Sequence, residues 1–191
     1  MRVEYSKDSF IDILFDRNSI EPPIFYNNPG KALRFDLINK PEKDNFNFLN
    51  SIFDDLFVEN SHMYVVFFGA RNSHWKTGHY FKPFSLKKIL KHSYVSRDKD
   101  VIDEKPYVVV CQTRRKYFNS KKYFMEYLNN ELKSSMLFLS RKLGAIIQFY
   151  DNRGVDLLCE EKDFRKTMFE RYEKYIIEYD REEIVANLRN I

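Results

Sequence analysis

Asp151, Arg153 and Asp156 fall within one short stretch, Tyr150-Asp151-Asn152-Arg153-Gly154-Val155-Asp156. Two carboxylates beside a guanidinium have the composition of a small polar site: the carboxylates can hold a cation or move a proton, and the arginine sets their charge. Arg34 and Asp36, from an earlier strand, are candidates to join them. The same residues also meet a purely structural demand. Apolar runs lead in (Ala145 to Tyr150) and out (Val155 to Cys159), and Asp, Asn and Gly between them are turn formers, so the stretch reads as a β-hairpin. A type I turn over Asp151 to Gly154, with a bulge at Gly154 in positive φ, fits. On this structural reading Asp151 accepts from turn amides, and Arg153 pairs with Asp156 or a helix end.

A second group is electrostatic. Residues 71–122 hold 14 basic and 4 acidic residues, a balance of +10 in a chain of net charge +4. Lys87-Lys88, Lys91, Arg114-Arg115-Lys116 and Lys121-Lys122 are interleaved with Tyr117, Phe118 and Tyr123, types able to track a phosphate backbone and stack bases. Neither a helix-turn-helix nor the paired aromatic strands of common RNA-binding modules accompanies them. An acidic protein surface is the other partner such charge suits, and a solvated face neutralised from elsewhere in the fold is the alternative to both. The stretch with His74-Trp75 and His79-Tyr80 is either a docking surface or a flap over the core. His62, His74, His79 and His92 show no paired helical spacing and no cysteine neighbours, which argues against zinc. No metal, cofactor or catalytic residue is expected: no Ser-His-Asp, Cys-His or Gly-x-Ser-x-Gly arrangement has recognisable spacing.

The elements that would position these groups follow from periodicity. With 191 residues, 43% of them hydrophobic, the chain suits a single α+β domain over 1–191 with one substantial core. The N-terminus lacks the pattern of a signal peptide, and no apolar run approaches the roughly 20 residues of a membrane span, so a cytoplasmic protein is expected. Cys111 and Cys159 lie in apparent strands and are expected as buried, reduced thiols. A short helix from Ser9 to Arg17 precedes an apolar plug, Ile24 to Tyr26. Lys31 to Ile38 reads as a half-buried strand with Arg34 and Asp36 outward. Asp44 caps a helix over 45–58 whose inner face is Phe46, Leu49, Ile52, Phe53 and Leu56.

Met63 to Phe68 and Tyr107 to Cys111 read as strands covered on both faces, separated by a long irregular segment in which Ser85 caps a short helix through Leu90. A helix from Ser120 to Leu132, a strand from Met136 to Leu139 and the hairpin come next. A helix from Asp163, with a stripe of Phe164, Met168, Tyr172, Tyr175 and Tyr179, and a last helix from Asp180 complete the chain. The result is a mixed, mainly antiparallel sheet with helices packed on its faces. From Arg34 to Leu139 the order is that of a ferredoxin-like β-α-β-β-α-β core, to which the C-terminal hairpin and helices are added.

The hairpin stretch, together with Tyr172-Glu173-Lys174-Tyr175, Tyr179-Asp180-Arg181-Glu182, Phe25-Tyr26-Asn27 and Leu33-Arg34-Phe35-Asp36, resembles a bacterial family known as domain of unknown function 3885. The most specific part is the Tyr-Asp-x-Arg-Gly-x-Asp hairpin, in which Asn152 replaces an aspartate of the family pattern. The resemblance implies no activity and no catalytic set. Small cytoplasmic bacterial proteins of this kind often resemble immunity or antitoxin partners of toxins. By that analogy the expected function is non-enzymatic: binding a toxin domain and occluding its cleft, with Trp75, Tyr80, Arg114 and Arg115 as anchors by residue type. Nucleic-acid binding through 71–122 is the alternative. The residues leave the oligomeric state open.

Overall fold

The computed structural model describes residues 24–28, 30–69, 79–93, 107–132 and 136–189. Among them, seven strands form one sheet: β1 (Ala32–Asp36), β2 (His62–Gly69), β3 (Lys87–Ser93), β4 (Tyr107–Arg114), β5 (Met136–Ser140), β6 (Ala145–Asp151) and β7 (Gly154–Cys159). Their order is β1-β7-β6-β5-β2-β4-β3, and every neighbouring pair is antiparallel. Five α-helices accompany it: α1 (Ile24–Asn27), α2 (Glu42–Leu56), α3 (Ser120–Leu128), α4 (Lys162–Arg171) and α5 (Arg181–Arg189). The class is α+β, as expected. The strand order is not that of a ferredoxin-like split unit, because β1 pairs with β7 at one edge instead of joining the strands that precede the hairpin. Strands β5, β6 and β7 form a meander, and β7, buried along its whole length, offers its free edge to β1.

One face of the sheet carries an aromatic core. Phe53 of α2 lies 5.2–5.5 Å from Phe118, Phe124 and Phe138, and Phe138 and Phe149 continue the cluster toward Tyr123. Helix α2 begins after Pro41, three residues before the expected start, with Glu42 and Asp44 in the first turn where the helix dipole favours carboxylates. Its buried stripe is consequently Phe48, Leu49, Ile52, Phe53 and Leu56; Phe46 is only partly buried. Asn119, not Ser120, caps α3, its side chain accepting from Lys122 N at 3.1 Å, and the helix ends at Leu128 instead of Leu132.

Three further expectations change. Residues 87–93 form strand β3, not a helix capped by Ser85. Helix α4 stops at Arg171, so the aromatic stripe breaks: Met168, Tyr172 and Tyr175 are buried, whereas Tyr179 is 88% exposed. Arg34 points inward. The helix expected over Ser9–Arg17 lies outside the described residues. After α4 the chain crosses the free edge of β1, where Ile176 bridges Phe35 and Ile177 N donates to Arg34 O at 3.1 Å, and then enters α5. Cys111 and Cys159 are buried and unpaired with each other, and burial pushes both thiols up to about 11.

Candidate functional site

The hairpin separates the residues whose chemistry the sequence groups together. Asp151 pairs directly with Gly154 across a two-residue loop, and none of Asn152, Arg153 and Gly154 adopts positive φ. The register irregularity lies between Phe149 and Asp151, on β6, so the expected glycine bulge is absent. Asp151 Oδ1 accepts from Arg153 N at 3.0 Å and Oδ2 from Arg153 Nε at 2.8 Å, closing a small surface ring. Arg153 thus pairs with Asp151, not with Asp156. Gly154 is held from inside, its carbonyl accepting from the buried Tyr127 hydroxyl at 2.5 Å. Asp36 serves its own turn, accepting from Ile38 N, and does not join the group.

Asp156 is fully buried. Its register partners are Arg34 on β1 and Gln148 on β6, which puts the three side chains in a row on one face. Arg34 Nε donates to Asp156 Oδ1 at 2.8 Å and Nη2 to Oδ2 at 2.9 Å, a bidentate pair. The first two N–H groups of α1 have no intrahelical acceptor, and the row supplies them: Phe25 N donates to Asp156 Oδ2 at 3.0 Å and Ile24 N to Gln148 Oε1 at 3.2 Å. The Arg34 guanidinium also lies over the rings of Tyr26 and Phe25, at 4.3 and 4.9 Å. Burial holds the carboxyls of Asp156 and Asp180 above the ordinary carboxylate range, and Arg34 opposes this at both. The Asp156 oxygens are thus committed to three hydrogen bonds, and the carboxylate has no contact with solvent. Phe25, Tyr26, Arg34, Asp156 and Asp180 belong to the fragments on which the family resemblance rests, and those fragments converge here. A carboxylate within the apolar run Val155 to Cys159 is the sequence signal that a buried cation must meet it.

The proposed anchors sort differently. Trp75 lies outside the described residues. Tyr80 is buried, its ring edge-on to Tyr123 at 5.2 Å and its hydroxyl donating to Glu126; burial and that carboxylate push its phenol well up. It is a core residue rather than a surface anchor. Arg115 is equally committed, with Nη2 donating to Asp54 Oδ1 at 2.8 Å and Ser120 Oγ at 3.0 Å while its guanidinium lies 5.0 Å from the Phe53 ring centre. It fastens α2 to the start of α3. Arg114 is exposed at the end of β4. With it, Lys82, Lys87, Lys88, Lys116 and Lys121 are exposed and form no ion pair with any described residue. Lys82 Nζ and Lys116 Nζ lie 5.7 and 5.4 Å from the centre of the Tyr117 ring.

An open groove of about 690 Å³ lies at the same end of β2 and β4 as Arg114, whose register partner is His62, and is lined by His62, Tyr64, Gln112, Arg141, Lys142 and Asp55. Asp55 is already taken by Arg171 Nη1 at 2.7 Å and the Tyr172 hydroxyl at 2.6 Å. Among the described residues no three His, Cys, Asp or Glu side chains gather as a metal site would require. None of the described helices is long and apolar enough to cross a membrane.

The model of the family described as Domain of unknown function (DUF3885) matches residues 8–180. The chain belongs to the DUF3885 family. The match takes in the whole polar row, from Ile24 to Asp180, and the exposed basic group as well. No curated protein and no solved structure matches.

Proposed function

We propose that this DUF3885 protein is a non-enzymatic interaction protein of the immunity class, which binds a toxin domain and neutralises it by covering its active-site cleft. One observation supports the reading: Lys82, Lys87, Lys88, Arg114, Lys116 and Lys121 stay exposed without carboxylate partners among the described residues, while Arg34 and Arg115 are consumed inside the fold. Cations left free on an ordered surface attract an acidic one and speed encounter with it.

The test is capture of the tagged full-length protein from its own cells at low and high salt, in parallel with the Arg114→Glu/Lys116→Glu variant. One toxin-domain partner should be retained at high salt, and its affinity should fall at least about tenfold on charge reversal, since unlike charges are replaced by like ones. Nucleic acid that binds at low salt and is released steeply as salt rises, with no protein partner, would replace this reading with nucleic-acid binding.

A further inference from the structure

Lys82-Pro83-Phe84-Ser85 is a β-turn, closed by Ser85 N donating to Lys82 O at 3.1 Å. Proline at its second position holds φ negative. Phe84 follows at φ +59°, the pattern of a type II turn, whose third position ordinarily takes glycine because a Cβ is strained there. The Phe84 side chain is also fully exposed, at 106%. Backbone strain and hydration of a phenyl ring both act against the folded state, and no packing against a described residue offsets either.

The turn is nevertheless firmly mounted. Asn119 N donates to Tyr80 O at 2.7 Å, Phe81 packs on Phe118 with ring centres 5.1 Å apart, and Lys82 N donates to Tyr117 O at 2.9 Å. The backbone at Phe84 is therefore held in one conformation, which lowers the ordering cost of using the residue as an anchor. Around it stand Lys82 and Lys116 beside Tyr117, and Lys87 at the start of β3.

Resting on the protein-binding reading above, we propose that this turn docks an acidic segment of a partner protein. Phe84 enters an apolar hollow, and Lys82, Lys87 and Lys116 meet carboxylates on its rim. The net charge of the surroundings selects a negative partner. The convex turn with a single projecting ring suits insertion into a hollow; single-stranded nucleic acid is instead tracked by a concave basic groove with successive aromatic platforms.

The experiment places the photo-crosslinker p-benzoylphenylalanine at position 84, and separately at position 114, of the full-length protein in its own cells, and maps the adducts by mass spectrometry. The partner so identified is then purified and its affinity measured against wild type and Phe84→Asn, asparagine being at ease in the left-handed region. The expected result is an adduct from position 84 within a carboxylate-rich segment. Phe84→Asn should bind about 30-fold or more weakly, with Tm unchanged or higher by about 2–4 °C. An adduct from position 114 alone, with affinity unaffected by Phe84→Asn, would overturn the anchor and leave the interaction reading standing. A nucleic-acid adduct at position 84, or a lowered Tm for Phe84→Asn, would overturn the proposal. Absence of adducts from both positions would overturn it together with the function on which it rests.

Discussion

The two ends of the sheet treat the same chemistry in opposite ways. At the β1–β7 end, Arg34 is sunk beneath α1 and spent on Asp156. Toward β4 and β3, Arg114, Lys116, Lys87 and Lys88 stand in solvent without ion pairs to described residues. The difference comes from what covers each edge. Ile176 and Ile177 close the free edge of β1 while α1 lies over its face, so Arg34 loses its water and must be paired. Strand β3 has only β4 as a neighbour in the described sheet, and Lys87 and Lys88 on it keep their hydration. Arg34 and Asp156 are tied to one another inside the fold, whereas the cations that look like an ordinary solvated face stay exposed.

The largest test of this contrast is Asp156→Asn. Breaking a buried pair leaves Arg34 uncompensated, so unfolding in urea should show a loss of about 3–5 kcal/mol. A milder loss would mean that water reaches the row. A combined Arg34→Met/Asp156→Leu replacement should recover most of that loss, because the desolvated charges go together. Tyr127→Phe comes next. It strips the Gly154 carbonyl of a buried donor and should cost about 1–2 kcal/mol by the same measurement.

Alkaline pH probes the sheet's interior with a smaller, graded effect. Burial raises Cys111 and Cys159 from the ordinary 9.0 to about 11. The folded protein keeps protons that the unfolded chain has released, so this contribution is whole below pH 9 and declines as pH climbs toward 11. Urea midpoints measured across that range should fall in wild type and fall less in Cys111→Ala/Cys159→Ala. Smallest of all is Asp151→Ala. Its partner Arg153 is mostly exposed, so stability should shift by less than about 1 kcal/mol despite the two aspartates lying in one motif. A loss comparable to that of Asp156→Asn would erase the distinction between tip and row.

Local pattern was informative wherever an element is apolar along one face or along a continuous run. Strands β2, β4 and β5, the hairpin flanks and helix α2 are all legible from such patterns. The pattern failed where burial on the second face depends on a distant segment. Alternation of Leu33, Phe35 and Leu37 with Arg34 implies that Arg34 faces water, yet α1 and Asp156 turn that face into interior. Tyr80 and Arg115 are suitable interface types by composition, but each finds a carboxylate brought close by a distant helix: Glu126 of α3 for one, Asp54 of α2 for the other. Phe84 left a faint local signal, Pro-Phe where Pro-Gly would be expected in a turn, and its strain became visible only as a positive φ.

By itself the sequence determined the α+β class, the hairpin at Asp151–Gly154, most element types, membership of the DUF3885 family, and the uneven charge that sets residues 71–122 apart, because each is encoded in neighbours along the chain. Tertiary structure alone decided that β1 joins β7, that Asp156 is buried against Arg34 while Asp151 stays at the surface, and that Phe84 projects beside exposed lysines. These outcomes depend on which surfaces lose water when distant segments meet, and local periodicity carries no record of that.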